Sequence, residues 1–141
     1  MNKVALLSKE EKECLRKIIA KYPNDENLDL TAYIAEVIGI TGEHVEEGWY
    51  NQDINSTHIT FCYMADTDTE HSDDKNETEE YYIQVDVWSK ADCFLLKRKI
   101  KKLLKMAGFT YFTGNDDYEQ DTKIYHKAAR FYFALNNAEE E

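Results

Sequence analysis

Between Tyr81 and Ala107 the apolar residues change their spacing once, with no proline or glycine in between, and this change narrows the fold more than any other stretch of the chain. In "YYIQVDVW", Tyr81, Ile83, Val85 and Val87 alternate with Tyr82, Gln84, Asp86 and Trp88. A strand with this pattern turns the first set to a core and the second to the opposite, amphipathic face. Leu96, Ile100, Leu103, Leu104 and Ala107 then recur at helical intervals, opposite Lys97, Arg98, Lys101, Lys102 and Lys105. Ser89 is the expected cap of this helix, Asp92 favours the positive end of its dipole, and Gly108 is a natural stop. A strand that leads straight into a helix with one apolar stripe calls for a sheet with helices laid on it.

The rest of the chain fits around that unit. Ser8 and Glu11 have the spacing of a capping box, so a first helix is expected from about 9 to 21, ending at Pro23 and Asn24. Asp29 caps a second, over about 30 to 38, with Leu30, Tyr33, Ile34, Val37 and Ile38 on one stripe and Gly39 and Gly42 beyond it. "HITFCYMA", residues 58–65, and residues 81–88 read as neighbouring antiparallel strands. The 66–80 stretch between them holds no aliphatic or aromatic residue and reads as a flexible, solvated loop. Residues 109–112 and 122–135 supply two more strands around the turn-like "TGNDDYEQD", and 136–141 reads as a frayed acidic tail. The expectation is one α+β domain over 1–141, an antiparallel sheet of about four strands with helices mainly on one face.

Charge is unevenly placed. The formal net charge is −11, yet residues 66–80 carry eight acids against Lys75, while residues 90–105 carry seven bases against Asp92. The overall balance argues against general nucleic-acid binding, which scales with clustered Lys and Arg. The segregation suits self-assembly by opposite patches. No run approaches the roughly 20 apolar residues of a membrane span, and a cytosolic protein is expected. Cys14, Cys62 and Cys93 are odd in number and widely spaced, which fits buried, reduced thiols.

No spacing points to catalysis or to a cofactor. The four histidines show no HExxH or HxH pattern, and no phosphate-cradling glycine loop or GxSxG elbow is present. Asp66, Asp68, Glu70, Asp74 and Glu77 match positions 1, 3, 5, 9 and 12 of a calcium loop, but His71 stands where the turn needs glycine and the flanks read as strands, so no metal site is assigned. Phe94 projects toward the lysine face of its helix, and Trp88 shares a strand face with Tyr82, Gln84 and Asp86. Tyr82, Asp86, Trp88, Phe94, Arg98, Lys101 and Lys102 are therefore the expected interface residues.

The second half also resembles a known family. Gln84 to Ser89 ("QVDVWS") leading into a helix, then Asp117, Tyr118 and Asp121 in an acidic turn, then Tyr125 and His126 on the last strand, are similar to the tail-completion or tail-terminator proteins of long-tailed bacteriophages. The resemblance covers about residues 80–135, and the first half departs from the family pattern in its N-terminal helices and its acidic insert. It implies an α+β subunit without enzymatic activity or cofactor, assembling in the host cytoplasm as a ring, typically a hexamer, and ending in the virion. Its implied partners are further copies of itself, the tail-tube protein and the head connector, with DNA passing nearby unread. The other expectation is a small cytosolic binding or regulatory module that uses the acidic stretch as an arm or cation site.

Overall fold

The computed structural model describes residues 5–70 and 77–137. Its elements are α1 (Lys9–Lys21), α2 (Leu30–Gly39), β1 (His44–Glu47), β2 (His58–Glu70), β3 (Glu77–Ser89), α3 (Phe94–Met106), β4 (Thr110–Glu119) and β5 (Ile124–Asn136). One five-stranded sheet runs in the order β1-β2-β3-β5-β4. β2, β3, β5 and β4 pair antiparallel, as the sequence suggests, but β1 adds a fifth strand and pairs parallel to β2. "HVEE" is too short and too polar to show a strand period, so tertiary pairing rather than pattern makes it a strand.

The alternation of β3 sorts the sheet into two faces. Ile83, Val85 and Val87 join Ile59 and Phe61 of β2, Ala129, Phe131, Phe133 and Leu135 of β5, and the apolar stripes of all three helices in one core. Leu15 and Ile18 of α1, Ile34, Val37 and Ile38 of α2, and Ile100, Leu103 and Leu104 of α3 are buried there. The helical face is fixed locally as well as by burial. Ser8 Oγ accepts from the Glu11 amide at 3.0 Å while the Ser8 amide donates to Glu11 Oε1 at 2.9 Å, and Asp29 Oδ1 accepts from the Ala32 amide at 3.1 Å. Where β4 has not yet begun, Asn24 stands in for a strand. Its Nδ2 donates to the Ala134 carbonyl at 3.0 Å and its Oδ1 accepts from the Asn136 amide at 2.8 Å.

Several boundaries differ from the sequence reading. The 66–80 stretch is not a loop throughout: β2 continues to Glu70 and β3 starts at Glu77, with Asp66 opposite Tyr81 and Asp68 opposite Glu79. Backbone pairing carries the ladder through residues whose side chains are soluble, which a hydrophobic period does not register. The remainder of that stretch, with Asp74 of the calcium-like spacing, lies outside the described residues, and Asp66, Asp68 and Glu70 lie along a strand. "TGNDDYEQD" likewise belongs mostly to β4, and the turn is confined to residues 120–123, with Lys123 at φ 58°. α3 starts at Phe94 rather than after Ser89; Asp92 Oδ1 accepts from the Phe94 amide at 3.0 Å, and Ser89 Oγ accepts from Ala91 at 3.1 Å. Of the cysteines only Cys93 is buried; Cys62 is half-buried and Cys14 is exposed on α1.

Candidate functional site

The face of the sheet turned away from the helices carries a continuous polar and aromatic network. At its centre Asp86 is fully buried, and the His126 Nε2–H donates to its Oδ1 at 2.6 Å across the β3–β5 ladder. Gln84 Nε2 donates to the same oxygen at 2.9 Å, and Arg130 Nε donates to Gln84 Oε1 at 3.0 Å. The ring of Trp88 lies 3.8 Å from that of His126 at 8°, a stacked pair, and its indole N–H donates to Thr60 Oγ1 at 2.9 Å. A carboxylate withdrawn from water is costly unless hydrogen-bonded, and these donors compensate one of its oxygens. The other, Oδ2, has no partner among the described residues.

Residues 48–57 cover this cluster. The Gly48 amide donates to the Phe61 carbonyl at 2.8 Å and anchors the segment to β2. Trp49 then sets its ring edge-on to Trp88 and His126, with centroids at 5.1 and 5.4 Å, and Tyr50 packs on Trp88 at 5.0 Å. His58 is buried beneath; its Nδ1–H donates to the Ser56 carbonyl at 3.1 Å and its Nε2 accepts from the Asn51 amide at 3.4 Å. A cleft of about 260 Å³ beside them is lined by Tyr50, Ser56, His58, Trp88, Lys90 and Ile124, among others. Cys62 lies on the same face, and burial, followed by the charges of Asp86 and Glu47, pushes its thiol up, which holds it in the protonated, weakly nucleophilic form. This arrangement locks β3 to β5 and holds the 48–57 segment down.

Toward the far end the same face opens. Tyr82 is half-buried between Tyr132 at 5.4 Å and the exposed Phe112 at 6.1 Å, and Met64 is exposed nearby on β2. The expected interface residues thus fall on two sides of the molecule. Tyr82, Asp86 and Trp88 lie on the face away from the helices, and Asp86 and Trp88 are covered within the single chain instead of forming open surface. Trp49 and Tyr50 are the reason: two aromatics in a mostly polar stretch, whose only sequence signal is their own size.

Phe94, Arg98, Lys101 and Lys102 lie on α3, on the opposite side of the sheet. Its bases divide into two sets. Lys97 donates to Asp116 at 2.9 Å, Lys99 pairs with Glu11 of α1, and Lys101 sits 3.9 Å above the Tyr111 ring. Arg98, Lys102 and Lys105 have no ionic partner among the described residues, and with Leu6, Lys101 and Met106 they line a shallow groove of about 450 Å³. The exposed strand ends carry the opposite sign. Tyr81 there is pushed up by burial and then by the charges of Glu79, Asp66 and Asp68 around it.

The chain matches no protein-family model and no curated protein. Among solved structures it is similar to a chain described as "Virion of native gene transfer agent (GTA) particle", at 10% identity and a TM-score of 0.48, over 92% of this chain and 100% of that one.

Proposed function

We propose that this protein is a non-enzymatic structural subunit of a phage or prophage particle, one that assembles as a ring at the head-proximal end of the tail, ends the tail tube and joins it to the head connector. The observation that carries this reading is the meeting of the two motifs by which the sequence resembles the tail-completion family. Gln84–Ser89 and Tyr125–His126 are about forty residues apart in the chain, yet they face each other across β3 and β5, with Asp86 bonded to His126 and Trp88 stacked on it. Tyr118 of the acidic turn motif pairs with Tyr125, ring centroids 4.7 Å apart. Every one of these contacts is internal and holds a shape, which is what an assembly subunit asks of its most distinctive residues. The acidic surface suits a component past which DNA moves without sticking, since it repels phosphates.

The test is co-assembly with a phage tail-tube protein. Tubes should acquire one ring of this protein at one end and stop elongating there. A particle that stays strictly monomeric at high concentration, and leaves tube growth unchanged, overturns the reading.

A further inference from the structure

The geometry points to the groove on α3 as the docking site for a second copy of this chain, which brings the acidic strand ends of β2 and β3 to it. The inference rests on the assembly reading above and adds the surfaces by which one copy holds the next.

The two surfaces sit on opposite flanks. α3 lies over the β4 edge, tied to it by Lys97 to Asp116 and Lys101 over Tyr111. The acidic strand ends belong to β2, on the β1 side of the sheet order, and to the central β3 next to it. β1 pairs only with residues 58–61 of β2, so the far half of β2 is a sheet edge without a neighbouring strand among the described residues. Unlike surfaces on opposite flanks make a head-to-tail contact, which repeats from copy to copy and closes into a ring when the rotation permits.

Each surface has something the other lacks. In the groove Arg98, Lys102 and Lys105 are the α3 cations with no ionic partner among the described residues, placed beside the exposed Met106 and half-buried Leu6. On the strand ends Asp66, Asp68 and Glu79 have no cation among the described residues, and Asp68 stands directly across the ladder from Glu79. Like charges directly opposed destabilise a strand pair, and an external cationic surface relieves that repulsion. Three cations facing three carboxylates, all without an ionic partner among the described residues, give the register a chemical basis, and such complementarity also steers encounter.

Sedimentation velocity of purified protein tests this with two triple variants: Arg98→Glu/Lys102→Glu/Lys105→Glu, and Asp66→Lys/Asp68→Lys/Glu79→Lys. The wild type should form a discrete oligomer that weakens as salt screens the contact. Each variant alone presents two surfaces of one sign and should sediment as a monomer, with its fold checked by circular dichroism. An equal mixture should regain the oligomer at 1:1 stoichiometry, because each acidic surface then meets a basic one. The neutral set Arg98→Gln/Lys102→Gln/Lys105→Gln, milder for folding, should weaken assembly without abolishing the fold. A monomeric wild type, variants that assemble alone, or a mixture that stays monomeric overturns the contact. Variants that still form rings on tail tubes would sink the contact and leave the assembly reading standing; restored oligomers that never engage tail tubes would do the reverse.

Discussion

Asp86 is where a single side chain carries the most. It is fully buried and accepts from both His126 and Gln84. Asp86→Ala strands both donors in a dry site and should lower unfolding free energy by about 2–3 kcal/mol in urea titrations. Asp86→Asn retains the volume and should cost less. The stacked Trp88 gives the readout, because its emission should shift to the red as water reaches the pair. The alternation of β3 was enough to place Asp86 and Trp88 on the face away from the core, but not to show that they are covered. Their cover comes from Trp49 and Tyr50, about forty residues earlier in a segment without periodicity, so only the folded chain reveals it.

At the scale of elements, local signals read well and long-range pairing read poorly. The Ser8–Glu11 box and the Asp29 cap were legible because caps act within three residues, and Ser8→Ala should cost about 1 kcal/mol, checked by thermal or urea unfolding. β1 and the outer halves of β2, β3 and β4 were not legible, since their stability comes from ladders to distant partners and not from an apolar period. Gly114 in β4 is specific to that pairing. A Cβ there would stand 2.5 Å from the Ala128 carbonyl and 2.8 Å from the Tyr111 hydroxyl, so Gly114→Ala should destabilise by roughly 1–3 kcal/mol and loosen the β4–β5 edge in hydrogen exchange. The ion pairs of α3 set an acid limit. At Asp116 burial alone would raise the carboxyl, but hydrogen bonds from Lys97 and Lys127 outweigh it and hold it below its ordinary 3.8. Lys99, then the Ser8 amide, hold Glu11 below 4.5. Groups depressed in the folded state contribute stability above their unfolded values and lose it as pH falls through the folded ones. The urea midpoint should therefore drop on acidification below about pH 5. Asp116→Asn should flatten that drop, at a cost under about 1 kcal/mol at neutral pH because the pair is half exposed to solvent.

For the whole molecule, charge segregation was visible in the sequence as a basic stretch following an acidic one, while its spatial meaning was not. The sheet order separates the two onto opposite flanks, and internal pairing of Lys97, Lys99 and Lys101 leaves Arg98, Lys102 and Lys105 facing outward. Unlike flanks on a core locked by internal contacts suit the proposed head-to-tail assembly, which predicts a closed ring. Negative-stain electron microscopy of the purified protein decides it. Class averages should show rings of uniform diameter with rotational symmetry and a central opening. A field of single compact particles at every concentration, with none recruited to tail tubes, would contradict it.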